Sequence, residues 1–543
     1  MSVALLAFLA CPGEPTCKES CDSGRDTGEG TADSSDSADT ADSTPDTGPP
    51  PDADGDGSPD AEDCDDADPA VNPSADETCG DAIDQDCDGL LPTCGCDLDG
   101  PRGVAVADGR VSGTSEEFLG DGLAFLGDQD GDGLPELAVG AIGHDDHAGA
   151  VYVISGGARG ALTVDDSMRI TGTEGSWLGQ TLAGAGDVDG DGLNDLLVGA
   201  PRDERGGVQA AGAAYLFLGP VVGGSSVEDA AATFWGGAWT DVAGTSLAGL
   251  GDIDGDGLPD LAVGEPGYDF GNEEWESDAD YGRAFVLSGT AASGSLVDRA
   301  TAILQGAEWM AQAGSALARA GDIDGDGIDD LLVAAERGDY YSGVVYLVMM
   351  PVTGTVWLED ADARFQSTDD LSGLGHALAG AEDVDADGRP DLLLSDPSDD
   401  DGGVTSGAVH LFTGLGPGTF DQTNATATVT GGAEGDKLGY QVSFPGDLDC
   451  DGVPDVAATA AAESTGAPEG GALYLVPGSA LSGTVNVATV AASFHGDTER
   501  GYFYALAAGS ADVDGNGVAD LLAGASGAAD RHGEAYLFLT DGP

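Results

Sequence analysis

One stretch, Gly251 to Gly264 (GDIDGDGLPDLAVG), constrains this chain more than any other, because variants of it recur seven times. Asp252, Asp254 and Asp256 stand at positions 1, 3 and 5 of a tight loop, Gly257 at position 6 and Asp260 at position 9. Alternate carboxylates can then turn inward, the glycine permits a sharp turn, and a backbone carbonyl at position 7 adds another oxygen, which is the leading part of an EF-hand-like cation loop. Leu261, Ala262 and Val263 follow as a short apolar strand. Loop and strand are one unit, so the fold must accommodate that unit seven times.

The other copies present Asp128, Asp130, Asp132 and Glu136; Asp187, Asp189, Asp191 and Asp195; and Asp322, Asp324, Asp326 and Asp330. Three more present Asp383, Asp385, Asp387 and Asp391; Asp447, Asp449, Asp451 and Asp455; and Asp512, Asp514, Asn516 and Asp520. Acids held together at fixed offsets repel one another unless a cation sits among them, and an all-oxygen set suits calcium, with up to seven ions expected. Loops five, six and seven, which contain Ala386, Cys450 and Asn516, are expected to bind most weakly; Cys450 falls at position 4, which supplies no side-chain ligand.

First ligands lie 59 to 70 residues apart, room for four short strands with their loops. A small-residue strand precedes each loop (Leu182 to Ala185, Leu247 to Leu250) and an apolar one follows it (Leu196 to Val198, Leu261 to Val263). A third begins at a glycine, as in GAVYVIS from Gly149 and GRAFVLS from Gly282, and a fourth follows, as in Met168 to Thr171 and Thr301 to Leu304. Four antiparallel strands repeated seven times predict an all-β fold, a seven-bladed β-propeller of four-stranded blades over residues 103–543. The last repeat stops after its third strand, so a strand around Arg110 to Gly113 is expected to close blade seven and remove its open edge.

These residues resemble FG-GAP repeats, the integrin alpha-chain type of β-propeller. The resemblance rests on the Gly-Asp-x-Asp-x-Asp-Gly loops, on Gly199-Ala200-Pro201 and Gly264-Glu265-Pro266, and on the Gly-x-x-Tyr strands. Leu119-Gly120, Leu178-Gly179 and Leu438-Gly439 stand for the Phe-Gly element, and Ala334-Ala335-Glu336 replaces the Gly-Ala-Pro of blade four. The family implies calcium-binding hairpins on one face and recognition of protein ligands on the other.

The N-terminus differs in kind. Residues 1–11 hold an apolar run ending at Cys11 that resembles a bacterial lipoprotein signal, with Phe8-Leu9-Ala10-Cys11 as an imperfect lipobox, so lipidation at Cys11 is expected. Residues 12–51 form a low-complexity acidic spacer with little to bury, expected to be disordered. Residues 52–98 are rich in Asp and Cys: Asp52, Asp54, Asp56 and Asp60 repeat the loop spacing. Asp63 to Pro69, Asn72-Pro73 and Asp86 to Gly89 resemble the MopE-type metal-binding motif. The family name carries a copper association, whereas carboxylates without His favour a hard cation. A disulfide-knotted acidic linker is the other reading, since eight of nine cysteines precede residue 97.

A net charge of −83 repels phosphate backbones, which excludes nucleic acid as a partner, and no apolar run is long enough to span a bilayer, leaving a lipid anchor as the only membrane contact. Loops joining strands one to two and three to four share one face of a propeller; the calcium loops lie there. The second face would display His144 to His147, Pro201 to Arg205, the acidic insert Tyr268 to Tyr281 with Trp275, and Trp177, Trp239 and Trp309. Exposed aromatics among polar loops suit recognition of a protein or glycan. Arg337-Gly338-Asp339 is read as coincidence in so Gly- and Asp-rich a chain, and His144 with His147 as a weak metal pair. No nucleophile elbow, zinc-protease motif or phosphate loop is found. The sequence therefore reads as an exported, monomeric, calcium-binding module for surface binding or adhesion, at the outer membrane or cell surface or secreted, and not an enzyme. The alternatives are an accessory or enzyme module acting on surface polysaccharide or lipid, and a metal-sequestering surface protein.

Overall fold

The computed structural model describes residues 101–540 apart from 105–106, 115, 165–166, 222–223, 270–279, 370–371, 450, 491 and 508–510. Cys11, the spacer, the Asp/Cys segment with Asp54, Asp56 and Asp60, Trp275 and Cys450 lie outside the described residues.

Blade three shows how one repeat is built. Leu261–Glu265 pairs antiparallel with Leu247–Gly249 and with Arg283–Leu287, which pairs in turn with Ala302–Gln305. Leu261 and Val263 pack into the cluster shared with blade two, whereas Ala262 packs into the one shared with blade four. A strand buried on both faces cannot alternate with polar residues, which is why the sequence there is a continuous apolar run. Seven such clusters, one between each pair of neighbouring blades, form the core. Each fully buried medium-sized side chain contributes about 1.5–3 kcal/mol.

The glycine that opens each third strand has a steric origin. Gly282 has φ +71°, and a Cβ there would lie 2.2 Å from the Ala313 carbonyl oxygen, because this residue bridges to the first strand of the next blade. The first strands pack against one another in a closed ring, Leu119–Gly127 meeting both Leu182–Gly186 and Ala505–Leu506.

Ring closure follows the expectation. Gly109–Ser112 pairs antiparallel with Glu534–Phe538, Arg110 opposite Tyr536, and becomes the fourth strand of blade seven. The four expected strands per blade become five in every sheet. The fifth is a short strand parallel to the fourth, donated by the connection between strands three and four of the following blade. Gly354–Trp357 of blade four pairs in this way with Ala302–Gln305 of blade three, and Gly160–Thr163 of blade one with Gly109–Ser112 of blade seven. Blade six takes its fifth strand from Pro101–Gly103, so the segment before blade one serves two blades. These strands carry no apolar alternation because they lie at an edge; Gly354, Thr355 and Trp357 are exposed.

Candidate metal loops and the opposite face

In loop three, Asp252 accepts N–H bonds from Gly255 (2.7 Å), Asp256 (3.1 Å) and Gly257 (2.8 Å). Asp254 accepts one from Asp256 (3.1 Å) and Asp256 one from Leu258 (2.9 Å), each through a single carboxylate oxygen. The turn that aligns these amides requires Gly257 at φ +93°, a conformation that L side chains rarely adopt. Asp260 lies beneath, 1% exposed. Its Oδ2 accepts from the Ile253 amide (3.0 Å) and its Oδ1 from the Gly289 amide (3.3 Å), so it ties the loop to the start of the strand-three-to-four connection.

Carboxylate oxygens from positions 1, 3 and 9 approach within 4.8 Å of one another in loops one (Asp128, Asp130, Glu136), two (Asp187, Asp189, Asp195), three (Asp252, Asp254, Asp260) and five (Asp383, Asp385, Asp391). Loop four brings together Asp322, Asp324 and Asp326. Asp330, buried below that set, accepts from Ile323 (3.0 Å) and Met350 (2.9 Å). The exposed Asp132, Asp191, Asp387 and Asp451 accept the position-7 amide at 2.9 Å, as Asp256 does. In loop six, Asp447 and Asp449 both accept from Asp451, while buried Asp455 holds Leu448 and Gly478 (each 2.8 Å). Loop seven keeps the same backbone turn around Asp512 and Asp520 but engages Asp514 and Asn516 differently.

Burial, with the neighbouring loop carboxylates adding to it, pushes the position-9 acids upward: Asp260, Asp330 and Asp455 to about 6, Asp391 and Asp520 to about 7. Glu136 and Asp195 move the same way for the same reason. Asp391 Oδ1 is buried with no hydrogen-bond partner. A buried acid with an unsatisfied oxygen beside two more carboxylates is unfavourable by itself and favourable around a divalent cation. The donors, all oxygen, fit a hard ion of the calcium type.

The loops between strands two and three hydrogen-bond to those that lead into strand one, Arg202 N to Ser176 O and Gly267 N to Asp241 O (each 3.2 Å), so both sets share the face opposite the metal loops. Trp239 and Trp309, on that face, are 57% and 65% exposed. Trp177 is instead covered by the Arg202 guanidinium, 3.6 Å above its ring. His144 and His147 do not form a metal pair: His144 Nδ1 lies 2.8 Å from Glu117, and the His147 ring sits against Trp177. Arg337 caps a single helical turn, Gly338–Tyr341, whose Asp339 amide donates to Glu308 (2.8 Å).

Three features escaped the sequence. Phe118, Arg500, Tyr502, Tyr504 and Arg531 line a cavity of about 880 Å³ over blade seven. Tyr504, Tyr440 and His376 form an aromatic series, with centroids 4.9 and 4.5 Å apart. Its signal was present: His376 and Tyr440 each follow a Leu-Gly pair, and Tyr504 takes the place of the glycine in blade seven. Ser493, His495 and Glu463 also form a hydrogen-bonded row, at 2.9 Å for both links, in the order of a nucleophile relay. All three are buried, 5%, 7% and 4% exposed, so the row satisfies internal polar groups rather than facing a substrate.

Comparison with known proteins agrees with this geometry. The FG-GAP repeat model matches residues 178–217, 243–287 and 313–348, which are blades two to four, and the Cu-binding MopE metal-binding motif matches residues 63–90. Integrin alpha-V of Gallus gallus is 32% identical over 223 residues, 40% of this chain and 20% of that protein. Integrin alpha pat-2 of Caenorhabditis elegans is 29% identical over 222 residues, and integrin alpha-PS2 of Drosophila melanogaster 30% over 262, each match covering 17% of the relative. The matched stretch thus spans a fifth or less of the length of these relatives. Three of the seven blades thus match FG-GAP repeats, the propeller is similar in sequence to integrin alpha chains, and a MopE-like metal-binding motif precedes it.

Proposed function

We propose that this protein is an exported surface-binding module in which calcium holds the loops of one face and the opposite face contacts a protein or glycan. The observation that carries the reading is the distribution of exposed apolar groups. Of the six large hydrophobic side chains exposed among the described residues, Trp239, Trp309, Tyr341 and Val404 stand on loops of the second face. Trp and Tyr are among the residue types most enriched in binding hot spots. On the other face, the acids at positions 1, 3, 5 and 9 of the loops that carry all four would hold the ions. Calcium would cancel their mutual repulsion, and the position-9 carboxylate would pass that order to the adjoining connection. Cys11 lipidation and the acidic spacer would place a monomeric propeller away from a membrane surface, in keeping with a cell-surface role.

Capture of cell-surface protein or glycan by the full chain, in calcium and in chelator, tests the reading. The parent is expected to bind in calcium, and the W239A/W309A double variant to lose at least tenfold in affinity with its melting temperature unchanged. Equal capture by both proteins would count against this face. A hydrolase screen on surface polysaccharide and lipid addresses the enzyme alternative.

A further inference from the structure

Loop seven differs from the other six in the atoms a metal would need. In loops one to six, the carboxylates at positions 3 and 5 each use one oxygen for a turn amide, as Asp254 and Asp256 do, and no N–H bond to the second oxygen is seen among the described residues. In loop seven, Asn516 Oδ1 accepts the Val518 amide (2.8 Å), and the remaining atom, Nδ2, donates to Thr540 O (2.5 Å), so position 5 lacks both the negative charge and the second oxygen that the other loops present there. Asp514 Oδ1 accepts the Asn516 amide (3.2 Å), and Oδ2 faces Arg159 Nη2 at 3.4 Å. Among the described residues this is the one ion pair made by a carboxylate at positions 1, 3, 5 or 9. The Asp514 side chain is 8% exposed, whereas its counterparts in loops one to five are open to solvent.

Arg159 is held in place by the fold. It precedes Gly160–Thr163, the strand that blade one lays on the edge of blade seven, and the Gly160 amide donates to Asp108 O (2.6 Å). Asp108 in turn accepts the Leu539 amide (2.8 Å), and Leu134 of loop one lies against Gly515 of loop seven. The guanidinium therefore arrives from blade one at the seam where the ring closes.

We propose that loop seven carries its cation in the sequence: the Arg159 guanidinium pairs with the Asp514 oxygen that the other loops leave for a metal ion, and Asn516 replaces an acid, so the propeller takes six ions and its closing seam is held without metal. The assignment rests on the calcium reading above for loops one to six. A fixed charge at the seam suits its task, since loss of metal would loosen individual hairpins while the ring stayed closed.

Calcium bound per full-length chain, measured by equilibrium dialysis, compares the parent with D254N and D514N; any ions on the Asp/Cys segment are common to all three. The expected result is one ion fewer in D254N and no change in D514N. R159Q, a surface change with little risk to folding, is expected to lower the melting temperature equally in calcium and in chelator. One ion fewer in D514N, or an R159Q deficit seen only in calcium, would overturn the proposal while leaving the calcium reading intact. An unchanged count in D254N together with a melting curve indifferent to chelator would sink the calcium reading itself, and this proposal with it.

Discussion

Asp254 and Asp260 belong to the same loop and do different work. Asp254 makes one exposed bond within the turn, so D254N is expected to lower the melting temperature in calcium and leave it nearly unchanged in chelator. Asp260 is buried and supplies acceptors to Ile253, Asp254 and Gly289, so D260A strands three amides and is expected to cost about 1–3 kcal/mol even in chelator, measured by denaturant unfolding. His410 offers a separate test. It takes the place that Tyr152, Tyr215, Tyr346, Tyr474 and Tyr536 hold in other blades, and burial pushes it down to about 4. Below pH 6.5 the unfolded chain gains a proton that the folded chain refuses, so stability falls as pH drops from about 6.5 to about 4 and is insensitive to this group above that window. H410F is expected to remove that part of the slope, up to roughly 3 kcal/mol at pH 4, in unfolding measured from pH 4 to 7.

The strands divide into those legible in the chain and those that are not. Leu261–Glu265 and its counterparts, buried on both faces, are readable because burial on both sides demands an unbroken apolar run. The strand near Arg110 was found by counting, since a seventh blade with three strands needs a fourth. The parallel fifth strands were not readable: their residues are mostly exposed, and their partners lie in another blade. The N-terminal segment consequently matters more than its length suggests, because Pro101–Gly103 and Gly109–Ser112 edge blades six and seven. Removal of residues 1–113 is expected to uncover the edge of Glu534–Phe538, lower the melting temperature and promote self-association visible by light scattering.

For the molecule as a whole, the charge of −83 and the ring of loops act together. Neighbouring loops touch: Leu258 lies against Gly190, and Pro259 against Gly186. Ions bound around one rim should therefore stabilise contacts between blades as well as hairpins. With extracellular-type affinities of about 10⁻⁴–10⁻³ M, each independent site contributes about 2.7 kcal/mol at a hundredfold excess over Kd. Thermal unfolding is expected to shift upward with calcium in the millimolar range and to fall in chelator; a curve unmoved by either would remove calcium from the account. Much of that behaviour follows from spacing alone, because four acids at fixed offsets already imply a cation.

What the sequence determined by itself was the local chemistry and its repetition: a carboxylate loop, the glycine after it, the doubly buried strand, and seven copies in step. These depend on neighbours a few residues away, which the chain displays directly. Tertiary structure decided what depended on residues far apart in number: the fifth strand of each blade, the cavity between Phe118 and Tyr504, and the meeting of Arg159 with Asp514. Closing the ring brings the beginning of the propeller against its end, so a loop that reads almost like the others meets a guanidinium 355 residues away.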